Sequence, residues 1–371
     1  MRPKLSVLIL TDSFVGPGGG AERHVQLLLA GLDRKEFDLN CVEFYNKAQP
    51  AVLSMSGVNI ERRQLGSLIS VEGLRTFLSL RKLCKIQRVD VILTYFEKSD
   101  ILGALLRLTL HGVRLISSRR DTGFRISKRL VLIYRAINKQ FGNLVAPSSA
   151  VYNFLIQQGV ASGRIAIIRN GVEGTPVFQS QHRTMLRREF GIDEHAFVII
   201  CVANLRPVKN HQMMIRALAS LKNIGVQPSL VLLGEGPESG KLEKLATDLD
   251  VAAQVRFVGH VKDRVTDWLF ASDVFALTSS TEGLSNALLE AQGCGLPAVV
   301  TAAGGNPEVV VEGKTGFIVP IGDAESFAEK IHTLMSDGSL RAAMARSARD
   351  RVGRQFSIRA MISGYRTLLL G

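Results

Sequence analysis

The chain has 371 residues, 46% of them hydrophobic and 21% charged, which is typical of a globular protein with two domains and excludes a disordered one. Residues 1–170 contain 25 Lys and Arg against 12 Asp and Glu, whereas residues 171–371 contain 21 of each, so we expect an anionic partner for the first half only. No apolar stretch approaches about 18 residues, which argues against a membrane-spanning helix, and the scattered cysteines indicate free thiols in a reducing cytoplasm.

Short apolar runs alternate with helical patterns along the whole chain. In the first half, strands are predicted at 5–10, 39–44, 89–94, 114–117 and 144–146, and helices at about 20–32, 71–87, 99–110, 127–140 and 149–158. In the second half, strands are predicted at 197–202, 229–233, 255–257, 274–277 and 298–300. A polar linker at 170–176 separates the two series, so the pattern predicts two Rossmann-like α/β domains with parallel sheets. Ligands of such sheets bind beyond the carboxyl ends of the strands, and we expect the domains to face each other across a cleft there.

A glycine-rich stretch at 16–24 follows the first predicted strand and opens a helix. Gly16, Gly18 and Ala21 match the spacing of a dinucleotide fingerprint, and Glu43 lies where a ribose-binding acid would be. The fingerprint requires its glycines directly after the strand, however, and residues 11–15 intervene. NAD binding therefore remains the less favoured interpretation, and a plain helix cap is an alternative.

The helical segments of the first half carry much of its positive charge. The pattern at 124–141 forms one apolar stripe of Ile126, Leu130, Ile133, Ile137 and Phe141. Cations on this segment and on the preceding helix would form a basic patch: Lys128, Arg135, Lys139, Arg75, Arg81, Lys82 and Lys85. We expect contact with anionic lipid headgroups, and an ordinary solvated helix face is the alternative. Nucleic acid is not expected, because no recognisable module or aromatic stacking platform is present.

The most informative pair is Glu282 and Glu290, in a turn and the helix that follows it at about 285–292. The start of a helix presents backbone N–H groups and a positive dipole end, which suit a phosphate. Two carboxylates beside such a turn can accept hydrogen bonds from sugar and ribose hydroxyls. Such an arrangement would suit a nucleotide-sugar, but the spacing alone favours the alternative, in which Glu282 caps the helix and Glu290 is solvated.

Two cations follow the first strand of the second half. Arg206 and Lys209 lie at the carboxyl end of that strand, where charge-assisted hydrogen bonds can neutralise a diphosphate. The alternative is a pair of solvated loop charges. Asp248 and Asp250 have the spacing of a metal-binding DxD motif but lie at a polar helix end, so we expect no metal.

The stretch from Glu282 to Ala291, with the Gly-Cys-Gly-Leu-Pro that ends at Pro297 and the Gly-Gly-Asn-Pro-Glu that ends at Glu308, resembles the signature of glycosyltransferase family 4. These are retaining enzymes of the GT-B fold, and the resemblance covers nearly the whole chain. It implies an acceptor-side domain at 1–171, a donor domain at 172–355, and a last helix at about 356–371 that crosses back onto the first domain. It also implies a nucleotide-sugar substrate and no cofactor.

The resemblance assigns roles to individual residues. Glu290 would bind the ribose hydroxyls, Glu282 the donor sugar, and Arg206 with Lys209 the diphosphate, although the family commonly has its Arg at an earlier position. The remaining donor contacts would come from Gly19, Gly20, Glu22, Val258, Gly259, Gly283, Leu284 and Ser285. Where many members have an acceptor-side His, this chain has 117–123, which leaves Asp121 or Glu97 as the acceptor-side carboxylate.

These expectations define an enzyme, a retaining glycosyltransferase. It would move a sugar from a nucleotide donor, expected to be a UDP-sugar, to a lipid-linked or cell-surface glycan. We expect it in the cytoplasm, peripherally on the inner face of the membrane. Two other classes remain open: a non-catalytic, membrane-recruited binding module of the same fold, and an NAD-dependent oxidoreductase.

Overall fold

The computed structural model describes residues 4–12, 20–45, 52–55, 58–123, 128–174, 180–261 and 264–371. The chain divides into two compact units. Unit 1 consists of Met1–Gly171 with Ile358–Gly371, and unit 2 consists of Val172–Ser357. Among the described residues no helix is both long enough and apolar enough to cross a bilayer.

The described residues form fourteen strands and fourteen α-helices, numbered here in chain order. Strands β1 to β14 are Leu5–Thr11, Phe37–Tyr45, Val52–Met55, Val58–Gln64, Val91–Tyr95, Arg114–Ser118, Asn143–Ala146, Ile165–Ile167, Val198–Val202, Ser229–Leu233, Val255–Gly259, Val274–Leu277, Ala298–Thr301 and Gly316–Val319. Helices α1 to α14 are Gly20–Gly31, Val71–Ile86, Glu97–Thr109, Lys128–Ile137, Ser149–Gln157, Ser180–Glu189, His211–Asn223, Ser239–Asp248, Val265–Ala271, Asn286–Gly293, Asn306–Val309, Ala324–Ser336, Gly338–Gln355 and Ile358–Leu370.

Unit 1 contains an eight-stranded sheet in the order β3-β4-β2-β1-β5-β6-β7-β8. All neighbouring strands run parallel except β3 and β4, which form an antiparallel edge. The central strand β1 is buried along almost its whole length because helices cover both faces of the sheet. One face packs against α1 and α14, and the other packs against α2, α3 and α5. The last helix of the chain thus completes the core of the first unit.

Unit 2 contains a six-stranded parallel sheet in the order β11-β10-β9-β12-β13-β14, also with a hydrophobic core on each face. Strand order reverses between β9 and β12, which are neighbours in the sheet although β10 and β11 lie between them in the chain. In open α/β sheets, such a switch point is where loops diverge and leave room for a ligand at the carboxyl edge.

The predicted fold class, an α/β chain with two parallel sheets, is confirmed. The sequence did not predict the β3–β4 pair, β8 or β14. Strand β4 was missed because it carries Glu61, Arg62 and Arg63 in a row, a run typical of a surface loop. Arg62 is buried nevertheless, because its Nε donates to Glu43 Oε2 at 2.7 Å.

Candidate functional site

The switch point of unit 2 brings Lys209 and Glu282 together. Lys209 ends a short 3-10 helix, Pro207–Lys209, that follows β9, and Glu282 follows β12. Lys209 Nζ donates to Glu282 Oε1 at 2.5 Å, and Ser279 Oγ donates to the same oxygen at 2.7 Å. The Glu282 side chain is 9% exposed and that of Lys209 24%, so the pair lies at the edge of solvent. Oε2 of Glu282 accepts no hydrogen bond from the described residues and remains available to a hydroxyl.

Hydrogen bonds between the two loops fix the position of Lys209. Thr278 Oγ1 donates to the carbonyl oxygen of Asn210 at 2.9 Å, and the Ser280 amide donates to that of Val208 at 2.9 Å. Asn210 itself adopts a left-handed conformation with φ of 48°, which turns the chain sharply into α7. These hydrogen bonds to the segment after β12 therefore hold in place the loop that carries the Lys209 cation.

The helix that follows Glu282 begins within one turn of it. Ser285 is the N-cap of α10, and its Oγ accepts a hydrogen bond from the Leu288 amide at 3.3 Å. Gly283, Leu284 and Ser285 are buried in this entry to the helix, and Glu290 is half-buried on the helix itself. The positive end of the α10 dipole thus lies beside the Lys209–Glu282 pair, an arrangement that suits a phosphate.

Arg206 is placed differently from the sequence expectation that paired it with Lys209. It is exposed at the N-cap of the 3-10 helix, and it borders a small cavity with His211 and Glu238. Its guanidinium makes no hydrogen bond within the described part of the chain, so the structure does not join it to Glu282. Val258 and Gly259 end β11, two strands from β9 along the same carboxyl edge. The Gly259 carbonyl accepts from the Gly234 amide at 2.8 Å.

In unit 1, the described residues among those predicted for the donor loop and the acceptor side lie at the carboxyl edge of the sheet. Gly19 falls outside the described residues, Gly20 is the first residue of α1, and Glu22 lies half-exposed in its first turn. Asp121 follows β6 and accepts a hydrogen bond from the Gly123 amide at 2.7 Å. Glu97, the alternative carboxylate, is the first residue of α3.

Asp12 is a further residue of this edge that sequence reasoning missed. It follows β1, and its carboxylate accepts from the amides of Lys98 and Ser99 at 2.7 and 2.8 Å. It therefore caps α3 from the neighbouring strand. Burial raises the pKa of Asp12 to about 6. No local signal identifies this contact, because the two segments are far apart in the sequence.

A buried network around His24 was also missed. His24 Nε2 lies 3.1 Å from the hydroxyl of Tyr365, which lies 2.8 Å from Ser118 Oγ. His24 Nδ1 lies 3.3 Å from the guanidinium of Arg120, which also donates to Asn170. Burial, and then the Arg120 cation, lower the pKa of His24 well below its usual range. The network ties α1 to α14 and to the last residues of unit 1 before the linker.

The residues of the two rival interpretations are engaged elsewhere. Glu43, the candidate ribose acid of a dinucleotide site, forms a buried ion pair with Arg62, and Gly16 and Gly18 lie outside the described residues. Asp248 and Asp250 pair with Lys244 and Lys222 on the surface. Across the described ranges, no three His, Cys, Asp or Glu side chains form a group that could hold a metal ion.

Comparison with known families and proteins gives matches along both halves of the chain. Residues 182–351 match the model described as Glycosyl transferases group 1, and residues 18–174 match that described as Glycosyltransferase Family 4. The chain is 29% identical over 290 residues to N-acetyl-alpha-D-glucosaminyl L-malate synthase of Bacillus anthracis, covering 75% of this chain and 71% of that protein.

Two further similarities cover most of both partners. The UDP-Gal:alpha-D-GlcNAc-diphosphoundecaprenol alpha-1,3-galactosyltransferase of Escherichia coli is 27% identical over 306 residues, covering 78% of this chain and 77% of that protein. The crystal structure of Anabaena Alr3699/HepE in complex with UDP and glucose is similar with a TM-score of 0.86 at 22% identity. That likeness covers 98% of this chain and 99% of the other, and at this identity it establishes the fold.

Proposed function

Because both halves of the chain match these models, the chain belongs to the family 4 type of glycosyltransferases with the GT-B fold, and we propose that it transfers a sugar, with retention, from a UDP-sugar to a lipid-linked or cell-surface glycan. The observation that carries this proposal is the Lys209–Glu282 pair beside the start of α10, at the switch point of the donor-side sheet. A cation, a helix dipole and a carboxylate with an available oxygen are the groups that a sugar diphosphate requires.

Each site residue has a part in this proposal. Lys209 and the amide groups around Gly283, Leu284 and Ser285 bind the diphosphate, and Arg206 reaches it from the exposed end of the same loop. Glu282 accepts hydrogen bonds from the donor sugar through Oε2, and Glu290 binds the ribose. Val258 and Gly259 hold the base, Gly19, Gly20 and Glu22 contact the donor, and Asp121 or Glu97 serves the acceptor.

The chemistry requires stabilisation of a leaving group more than a dedicated base. The bond between the anomeric carbon and the diphosphate oxygen breaks, and the acceptor oxygen bonds to the same face of that carbon. The acceptor proton passes to the leaving phosphate oxygen, which carries the developing negative charge. Groups placed in advance at that charge act most strongly, and removal of one typically costs about 10²–10³ in rate. Neither a metal nor a cofactor takes part in this scheme.

Two of the similar proteins support the choice of donor and acceptor. UDP is bound in the Anabaena structure, and the Escherichia coli relative is described as using UDP-Gal and a diphosphoundecaprenol-linked acceptor. A lipid-linked acceptor would place this protein on the cytoplasmic surface of a membrane as a peripheral enzyme. The Bacillus anthracis relative, with L-malate in its name, is the reason to keep small acceptors in the activity screen.

The donor site is tested by thermal unfolding with UDP, GDP, ADP, several UDP-sugars and NAD. A ligand at about 100 times its Kd stabilises the folded state by about 2.7 kcal/mol. We expect a UDP-selective rise in Tm that Glu290→Ala abolishes, and that Glu243→Ala, on the surface helix α8, leaves unchanged. A rise in Tm with NAD alone contradicts the proposal, and so does a Tm that no nucleotide raises.

Catalysis and stereochemistry need separate measurements. Binding of UDP-sugars without release of UDP to any acceptor would indicate a binding module instead. The anomeric configuration of the product, read from its proton NMR coupling, should equal that of the donor sugar. An inverted product would contradict the retaining mechanism while leaving the donor site in place.

A further inference from the structure

Helix α2 has an outward face that is unusual for a helix exposed to water. Four large aliphatic side chains on it are between 52% and 69% exposed: Val71, Leu74, Leu78 and Ile86. Ile69, just before the helix, is 98% exposed. At 3.6 residues per turn, all exposed residues of α2 fall within an arc of about 140°. The aliphatic side chains therefore share one face and point away from the core.

Cations share that face with the aliphatic side chains. The other exposed residues of α2 are Arg75, Ser79, Lys82 and Lys85, with no acid among them. Glu72, the acidic residue of this helix, is half-buried and faces the Gly66 amide. The buried side of the helix is formed by a separate set of residues, which includes Leu80 and Cys84. The helix is thus apolar on the side that faces the core, and its outer side combines aliphatic side chains with cations.

The neighbouring helices extend the same surface. Helix α3 contacts both α2 and α4, and all three pack toward one face of the unit 1 sheet. Leu105 and Leu108 are exposed on α3, and Leu132 and Ile133 are exposed on α4. Among the α4 residues whose exposure is described, the charged one is Arg135, an exposed cation. We call this surface of α2, α3 and α4 the apolar-basic face.

This arrangement changes the sequence-based picture of the patch. The stripe expected on the fourth helix includes Ile137 and Phe141, and both pack into the core instead. The outward-facing aliphatic side chains are concentrated on α2, for which the sequence had indicated only cations. The contact surface is therefore centred on a helix other than the one that periodicity selected.

We propose that the apolar-basic face inserts its aliphatic side chains into an anionic lipid bilayer, which positions unit 1 at the membrane that carries the acceptor. The inference rests on the proposed transfer to a lipid-linked glycan. Aliphatic side chains interleaved with cations fit the boundary between acyl chains and anionic headgroups. The whole basic excess of the chain lies in residues 1–170, which adds long-range attraction to such a surface.

Charge also argues against a second copy of this chain as the occupant. A symmetric dimer places the same patch of both subunits in contact. Here that contact would bring Arg75, Lys82 and Lys85 of each copy together without an exposed acid on α2 to pair with them. An anionic bilayer supplies the missing negative charge and the apolar layer at once.

The test is flotation of the full chain with vesicles of phosphatidylcholine alone and of phosphatidylcholine mixed with phosphatidylglycerol. We expect binding to the mixed vesicles only. Leu74→Ser with Leu78→Ser should lower the partition coefficient at least about tenfold, because two exposed leucines no longer insert. Arg75→Gln with Lys82→Gln and Lys85→Gln should lower it about a hundredfold, at about fivefold for each cation.

Matched controls use exposed residues of unit 2. Ile224→Ser with Ile321→Ser, and Lys314→Gln with Arg346→Gln and Arg354→Gln, should change the partition coefficient by less than about twofold. Equal losses in the controls, or no binding to anionic vesicles, would overturn the proposal. If wild type sediments as a dimer and Leu74→Ser with Leu78→Ser dissociates it, the face serves self-association instead.

The UDP-dependent rise in Tm, measured on the same samples, separates this proposal from the proposed function. All variants should retain it, which also shows that they fold. A protein that floats but does not respond to UDP contradicts the donor assignment alone. One that responds to UDP but does not float contradicts the apolar-basic face alone.

Discussion

The carbonyl oxygen of Glu282 lies directly against the α-carbon of Gly304. A Cβ added to Gly304 would lie 1.7 Å from that oxygen, and the residue has a φ of +52°. We therefore expect Gly304→Ala to displace the Glu282 loop, to lower the free energy of unfolding by at least about 2 kcal/mol and to weaken UDP-sugar binding. Gly313→Ala is the control, because its φ of +70° is similar and nothing lies within 4 Å of the added Cβ. Equal effects of the two variants in chemical unfolding and ligand titration would show that the contact with Glu282 is unimportant.

Replacement of Lys209 tests the cation of the proposed diphosphate site. We expect Lys209→Met to lower the rate of UDP release by about 10²–10³, since it removes a group that stabilises the leaving charge. It should also destabilise the fold by about 1–3 kcal/mol, because it leaves the Glu282 carboxylate largely buried without its cation.

Initial rates with a UDP-sugar and urea unfolding measure the two effects of Lys209→Met. Lys244→Met, which alters an exposed pair with Asp248, should change neither. A stability loss without a rate loss would assign Lys209 a purely structural part.

The imidazole of His211 predicts a pH dependence of stability. It is buried, neither ring nitrogen has a hydrogen-bond partner among the described residues, and burial followed by the Lys209 charge lowers its pKa to about 4 from 6.5. The unfolded chain therefore binds a proton below pH about 6.5 that the folded chain refuses until about 4, so folding loses stability as pH falls through this window. Relative to His211→Leu, wild type should lose about 3 kcal/mol between pH 7 and pH 4.

Urea unfolding at several pH values measures the difference between wild type and His211→Leu. A difference between wild type and His211→Leu that is flat with pH would mean that the folded protein tolerates the protonated ring.

The hydroxyl of Tyr365 predicts how firmly α14 is held in unit 1. Tyr365→Phe removes the group between His24 Nε2 and Ser118 Oγ, and it leaves two buried polar groups without that partner. We expect a loss of about 2 kcal/mol in the free energy of unfolding. Arg366→Ala, on the same helix, breaks an exposed ion pair with Glu36 and should cost clearly less. The reverse order of the two variants in thermal unfolding would contradict this account of the helix.

The sequence predicted those parts of the molecule that depend on local pattern. Apolar runs identified the central strands, since parallel strands covered on both faces are buried throughout. The turn and helix after β12 were predicted at 285–292 and observed at Asn286–Gly293. Edge strands were missed where polar residues indicated a loop. In β4, Arg62 is buried because it forms an ion pair with Glu43, which is distant in the sequence.

The details of the candidate site depend on contacts that no local pattern contains. Lys209 and Glu282 are 73 residues apart, and which of the two loop cations faces Glu282 is decided by the 3-10 helix that Lys209 ends. Arg206 is the N-cap of that helix, and the structure does not join it to Glu282. The network around His24 includes residues in and after β6, near the linker and on the last helix. Its role therefore could not be deduced from the glycine-rich stretch that precedes it.

The position of α14 has a consequence for how the protein is made. During synthesis, residues 1–171 leave the ribosome long before Ile358–Leu370, although the two segments share one core. Unit 2 is continuous in the chain and can fold as soon as it emerges. Unit 1 cannot complete its core until α14 emerges, and until then the surface that packs against Met361, Tyr365 and Leu369 stays uncovered. Ribosome-bound chains that stop before residue 358 should therefore expose this surface to chaperones and proteases, and release of the final helix is the step that closes it.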